Sequence, residues 1–225
     1  MLRCELHAHS NLSDGIDSVS ALLKEALKRN IHAISISDHD TLEGSLKAIE
    51  IVERENLPLT IIPGYELSAK EGHLLVFGKE SRIEVLEKGI GITEACEKLR
   101  RGCLTVLAHP YQFYRSGVPR PSKIVSAVDA VEVFNSRSIL PVFNKMASKL
   151  ARKNGKSFVA GSDAHSIRGI GFGLTLVDSE AKVDAILREI KSGNTRINCK
   201  RFPLRGILQE SFVKIGQHTS PHERV

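Results

Sequence analysis

The chain has 225 residues, of which 41% are hydrophobic and 26% charged, with a formal net charge of +6. That length and apolar content suffice to bury a full core, and α/β barrels of this size commonly form one domain, so a single domain is expected. No stretch approaches the ~18 continuous apolar residues of a membrane span, and Arg3, Glu5, His7 and His9 stand where a signal peptide needs an apolar run; both argue against the membrane and for a cytoplasmic location.

Strand and helix signals alternate along the chain. β-branched runs at residues 2–6, 33–37, 59–62, 104–108, 130–134 and 157–160 predict strands, and helical periodicity at 19–29, 42–55, 93–101, 140–153 and 181–191 predicts helices. Ser18-Val-Ser-Ala21 and Asp40-Thr-Leu-Glu43 read as helix starts, the second as a capping box, while Asn154-Gly155 and Ser192-Gly193-Asn194 read as stops. A further apolar run, 73–77, follows Glu66 after only six residues. A crossover helix needs about a dozen residues, so 59–66 and 73–77 should form an antiparallel hairpin that sets Glu66 beside His73. Cys4, Cys96, Cys103 and Cys199 lack Cys-x-x-Cys spacing, which predicts reduced, mostly buried thiols and no thiolate zinc site.

The chemistry-bearing motifs fall almost without exception where a predicted strand runs out into a loop. They are His7 and His9 in Glu-Leu-His-Ala-His-Ser, Asp14 in Ser-Asp-Gly, His39 in Ser-Asp-His-Asp, Glu66 in Pro-Gly-Tyr-Glu, His73, His109 in Ala-His-Pro, and Asp163 with His165 in Gly-Ser-Asp-Ala-His. In a β/α barrel the loops leaving the strand C-termini converge on one mouth. His7 and His9 are two apart, so they share a face while Ala8 points away, and Asp163 and His165 repeat that spacing. Singly, each motif has a bland reading as a cap or turn. Jointly they do not: six of the nine histidines lie in them, and only His32, His218 and His222 fall elsewhere. Histidine and carboxylate without cysteine describe a site for several Mn, Fe or Zn ions. Glu132, on a strand, reads either as a structural ion-pair partner or as a further ligand.

This ordered set resembles the PHP superfamily, named for polymerase and histidinol phosphatase, over about residues 1 to 200. The resemblance implies a distorted (β/α)7 barrel in one domain, residues 1–200, followed by a basic extension, 201–225, that is partly disordered. It also implies a trinuclear centre of two to three divalent ions that hydrolyses phosphoesters. One ion would be held by His7, His9, Glu66 and Asp163, a second by Asp14, His39 and His165, and a third by Glu66, His73 and His109, with Glu66 bridging. Clustered cations about 3.5–4 Å apart lower the pKa of a shared water, which makes hydroxide the expected nucleophile.

Arg137 in Phe-Asn-Ser-Arg is expected to act beside Asp163 and His165 in catalysis and to grip phosphate with Asn135; Arg168, Arg115 and Arg120 are further candidates. Tyr111, Phe113 and Tyr114 could stack a base or cover the mouth. Asp38 and Asp40 are expected to orient His39 or cap the next helix. Asp14, where histidinol phosphatases usually carry His, resembles the branch acting on nucleoside bisphosphates and the 5′ ends of short RNAs. Phosphorylated small molecules and oligonucleotides both stay open as substrates. So do a histidinol-phosphate-type phosphatase and a non-catalytic nucleic-acid-binding or polymerase-associated module. From Lys191 onward seven Lys or Arg face two Glu, so this segment carries most of the net charge and could hold a nucleic acid, while residues beyond Gly216 are expected to be disordered.

Overall fold

The computed structural model describes residues 1–219, with side chains described as far as Lys214. Two five-stranded sheets carry the fold. The first runs in the order β10 (Thr195–Cys199), β9 (Gly173–Val177), β1 (Leu2–Glu5), β2 (Ala33–Ile34), β3 (Thr60–Ile61). The second runs β4 (Gly64–Ser68), β5 (His73–Gly78), β6 (Cys103–Leu107), β7 (Ala130–Asn135), β8 (Ser157–Gly161). Helices α1 (Val19–Lys28), α2 (Glu43–Glu55), α3 (Ile92–Leu99), α4 (Pro141–Lys153), α5 (Val183–Lys191) and α6 (Leu204–Thr219) complete the chain.

β1, β2 and β3 are parallel, as are β6, β7 and β8; α1, α2 and α4 join successive strands of these sets, and two short 3-10 turns join β6 to β7. β4 and β5 form the expected antiparallel hairpin. Two strands escape the sequence pattern: β9 and β10, both antiparallel to their neighbours. No ladder joins the two sheets among the described residues. They meet through single bridges, Ala8 with Ala164 and His39 with Glu66, both inside the motifs singled out above. The arrangement is a mixed α/β fold of two five-stranded sheets, in which antiparallel pairings at β4–β5, β5–β6 and around β9 interrupt the uniform parallel β/α succession of the expected distorted barrel.

Alternation along the strands separates interior from exterior. On β6, Leu104 and Val106 face a core shared with Cys4, Leu6, Leu75, Phe77 and Val159 of both sheets, while Cys103 and Leu107 face the cluster under α3 and α4. α1 and α2 cover the outer side of β1–β3 with Val19, Leu22, Leu23 and Ala48. Each such side chain stabilises the fold by about 1.5–3 kcal/mol.

Local chemistry sets the helix starts differently in two cases. Ser18 caps α1, its Oγ accepting from the Ala21 amide at 3.3 Å. Asp40 does not cap α2; it sits at φ 56° and accepts from the Ser68 amide at 2.6 Å, tying the loop after β2 to β4. The segment expected to be disordered beyond Gly216 is helical to Thr219, and residues 220–225 lie outside the described residues. No helix among the described residues is long and apolar enough to cross a membrane.

Candidate metal centre

Backbone pairing at the sheet ends brings the candidate ligands together. The His9 amide donates to Ala164 O (2.8 Å) and the Ala164 amide to His7 O (3.2 Å), so the two His-x-His-like pairs, 7/9 and 163/165, run side by side. On the other flank, the Glu66 amide donates to Asp38 O and the Asp40 amide to Glu66 O, holding His39 against β4. His73 opens β5 opposite Ser68, diagonal to Glu66, and lies 3.0 Å from its carboxylate. His109 follows β6 at φ 26° and Asp163 follows β8 at φ 53°, conformations that cost a non-glycine residue roughly 1 kcal/mol or more. Gly161 is required between them: a Cβ there would come within 2.5 Å of His7 Cβ and would strike the Glu132 carboxylate.

All nine candidate ligands share one site, and Glu66 is its hub. Oε2 lies 3.2 Å from His7 Nε2, 3.2 Å from His9 Nε2 and 3.5 Å from His39 Nε2, while Oε1 lies 2.9 Å from His109 Nε2. Four groups have ligand atoms within 4.8 Å of one another: His7/Glu66/His109, His7/His9/Asp163, His9/Asp14/His39 and His39/Glu66/His73. His7 Nε2, both His9 nitrogens and Asp163 Oδ1 are buried without a hydrogen-bond partner. Orphaned buried polar atoms cost about 1–3 kcal/mol each, and here they face one another in sets of metal-ligand chemistry.

His165 sharpens the point. Its Nδ1 donates to Asp163 O at 2.9 Å, and burial, reinforced by His9, pushes its pKa down to about 3. A neutral ring protonated on Nδ1 leaves an Nε2 lone pair facing Asp14 Oδ2 at 3.0 Å. Two acceptors at that distance call for a cation between or beside them. Burial disfavours the His7 cation too, but Glu66, Asp163 and Glu132 outweigh it and raise His7 well above the usual histidine range. Burial likewise works against the Glu66 and Asp163 carboxylates; imidazoles overcome it at Glu66, and Arg115 with His7 does so at Asp163, so both are held well below the usual range. The residues present therefore fit divalent cations: the site is acceptor-rich and buried.

The surrounding groups hold the ligands. Glu132 is buried; it accepts from His7 Nδ1 (2.9 Å), the His109 amide (2.7 Å) and Asn135 Nδ2 (3.1 Å). It therefore pairs with imidazole and amide, not with the Arg or Lys expected of a structural carboxylate. Asn135 also donates to Asp163 Oδ2 (2.9 Å) and is fully buried, which withdraws it from the substrate contact expected of it. Arg115 donates to the same oxygen at 2.6 Å. Asp38 accepts from the Ser10 amide and hydroxyl and from Ser13 Oγ, fixing the loop that carries Asp14; it neither touches His39 nor caps α2.

A cavity of about 280 Å³ opens over the cluster and is lined by ligands together with Arg115, Ser116 and Arg137. Arg137 reaches it, but its guanidinium is paired with Glu210. Arg168 does not reach it: it donates to Gln209 at 2.6 Å on another face. Arg120 is exposed and lines none of it. Four cavity residues are not site candidates in the sequence: Ser116, beside Arg115, and Glu210, Ser211 and Lys214 from α6. No motif marks the last three; only a helix over a basic, mixed segment could have pointed there. A larger groove of about 1170 Å³, around Thr60, Lys79 and residues 178–189, contains none of the nine ligands.

Known proteins share this plan. The sequence matches the PHP domain family over residues 5–132 and the PHP-associated family over residues 141–195. It is 31% identical over 103 residues to the phosphoribosyl 1,2-cyclic phosphate 1,2-diphosphodiesterase of Eggerthella lenta, covering 46% of this chain and 36% of that one. It is 38% identical over 64 residues to the 5′-3′ exoribonuclease Rnm of Escherichia coli, covering 28% and 22%. The chain thus aligns with little more than a third of these curated relatives at most. In structure it is similar, with a TM-score of 0.72 at 18% identity over 95% of this chain and 69% of the other, to a two-domain Bacteroides vulgatus protein containing a predicted PHP-like metal-dependent phosphoesterase. Since the PHP domain match spans more than half of its length, the chain belongs to the PHP family.

Proposed function

We propose that this PHP-family chain is a metal-dependent phosphoesterase acting on a phosphate ester at the end of a nucleotide or short oligonucleotide. The observation that carries the reading is the cluster of nine histidine and carboxylate side chains around Glu66, whose orphaned buried atoms face one another. His7, His9, Glu66 and Asp163 would hold one divalent ion, Asp14, His39 and His165 a second, and Glu66, His73 and His109 a third. When bound, such ions lower the pKa of a water and offset negative charge on phosphorus oxygens.

The chain's own groups prepare that chemistry. Glu132, which can only accept, keeps the His7 proton on Nδ1, so that Nε2 presents its lone pair to the cluster. Asn135 and Arg115 occupy Asp163 Oδ2 and leave Oδ1 turned toward His7 and His9. The Asp163 carbonyl fixes His165 in the same manner. Arg115 lines the cavity with its guanidinium paired to Asp163 and adds positive potential to the cavity wall. The turn that carries it also exposes Phe113, 71% accessible, beside Tyr114 and Phe143, a surface suited to a nucleobase.

Substrate size follows from the cavity. About 280 Å³ is at the small end of ligand pockets, enough for a phosphoryl group and its immediate ester. The cyclic phosphate diphosphodiesterase and the exoribonuclease, which the chain matches in part, support esters of this kind. The test is metal analysis of the purified protein, then a phosphate-release screen over mononucleotides, nucleoside bisphosphates, histidinol phosphate and short 5′-phosphorylated RNA. Two to three Mn, Fe or Zn ions per chain and release from a nucleotide-type ester are expected, with His9→Ala lowering both metal content and turnover by orders of magnitude. Full activity in metal-free protein, or inertness of the loaded protein on every ester, would refute the reading.

A further inference from the structure

The two family matches end by residue 195, yet α6, which starts at Leu204, puts Glu210, Ser211 and Lys214 into the wall of the cavity. The helix is turned the opposite way from one held by apolar packing. Leu208 and Phe212 are 52% and 72% exposed, while Glu210 is only 3% exposed. A helix placed by hydrophobic burial would turn that apolar stripe inward. Here ionic groups decide the orientation. Glu210 accepts from Arg137 Nη1 and from Ser166 Oγ, which latches α6 to the loops following β7 and β8. One turn later Lys214 Nζ lies 2.9 Å from Asp14 Oδ2, on the same inward face. Arg115, Arg137 and Lys214 then ring a cavity whose floor is the ligand cluster.

We propose that α6 is a built-in roof of the active site and that Lys214 is a substrate-contacting residue, binding an oxygen of the phosphoryl group between itself and the cluster. The inference rests on the phosphoesterase reading. Arg115 is engaged by Asp163 and Arg137 by Glu210, so both have charge already committed to buried carboxylates. Among the described residues Lys214 pairs only with Asp14, a half-exposed candidate ligand whose carboxylate a bound cation would share. Its ammonium, on a flexible four-carbon stem with three donors, can turn from Asp14 to a phosphate oxygen without moving the helix.

The experiment uses the full chain loaded with manganese and measures the affinity of inorganic phosphate by calorimetry. Metal content and melting temperature are recorded for each variant. Lys214→Met should weaken phosphate binding at least tenfold with metal content and melting temperature unchanged, and Lys214→Arg should recover most of the loss. Wild-type phosphate affinity in Lys214→Met would overturn the proposal and reduce the Asp14 contact to a surface ion pair. Loss of metal in that variant would overturn it as well, making Lys214 a support for Asp14. Wild-type protein that takes up no manganese removes the phosphoesterase reading itself, an outcome distinct from either.

Discussion

Glu132→Gln removes one charge and almost no volume, and the geometry around it fixes what must follow. Oε1 accepts from His7 Nδ1, and Oε2 accepts from both the His109 amide and Asn135 Nδ2. A glutamine must present its NH2 group to one side or the other. Facing the second side it meets two donors, so the amide should settle with its oxygen there and its NH2 toward His7. His7 then has to accept at Nδ1, and its proton moves to Nε2, the atom that points at Glu66 and Asp163. A protonated Nε2 cannot hold a metal. Loss of a partner that orients a ligand histidine costs about 10–100-fold in metal affinity, or ~1.4–2.7 kcal/mol. Titration of manganese against a competing chelator should show that loss in Glu132→Gln, with turnover falling in step. Wild-type metal affinity and wild-type turnover would show that the carboxylate merely fills space, and the tautomer argument would fall.

Three further outcomes are expected. Arg137→Ala should lower stability by roughly 3 kcal/mol in chemical denaturation because it strands buried Glu210, and Arg137→Ala with Glu210→Ala should lose less than the sum of the single changes; strict additivity would mean that the pair is not coupled. The metal-free protein should be most stable near the ordinary histidine pKa of ~6.5. Below that value His165, whose folded pKa is down near 3, is protonated only in the unfolded chain, so stability falls with falling pH; above it the raised pKa of His7 makes stability fall as pH climbs through that value. Melting curves that are flat from pH 5 to 8 would contradict these environments. Finally, linear 5′-phosphorylated RNA should be degraded and a circular RNA of the same sequence should not, measured by gel; equal degradation would mean that the cavity admits the middle of a strand.

How far the sequence disclosed this site depended on what kind of force placed each residue. The nine candidate ligands were legible because imidazoles and carboxylates at strand ends are rare outside shared sites, and the Glu66–His73 contact followed from a gap too short for any crossover. The groups that hold them were not. A regular strand alternates, so Glu132 and Asn135 should lie on opposite faces of β7; a register shift between Glu132 and Phe134 brings them to one side, where Asn135 Nδ2 reaches both Glu132 and Asp163. Asn135 consequently became a buried strut instead of a substrate contact. β10 shows no alternation because it is an edge strand exposed on both faces, with Arg196 and Asn198 in its middle. α6 hides for a related reason: its apolar residues face outward, so a pattern read for burial points the wrong way.

Backbone strain ties these features together. Among the described residues, five of the seven non-glycine residues at positive φ, Asp40, His109, Tyr111, Ser116 and Asp163, lie in the loops that leave β2, β6 and β8. Each conformation costs roughly 1 kcal/mol or more; Tyr111 packs against the apolar cluster under α3 and α4, whereas the other four side chains are polar. Three of the five are held by bonds that end on carboxylates, Ser68 amide to Asp40, His109 amide to Glu132, and Arg115 and Asn135 to Asp163, while the Tyr111 amide donates to the backbone carbonyl of Val118. Of these carboxylates, Glu132 supports and Asp163 faces the orphaned nitrogens of the cluster. The loops that carry His109 and Asp163 are therefore held in strained conformations by buried carboxylates, and cations at the cluster would offset part of that cost, which would make metal binding part of what keeps the mouth of this fold in one conformation.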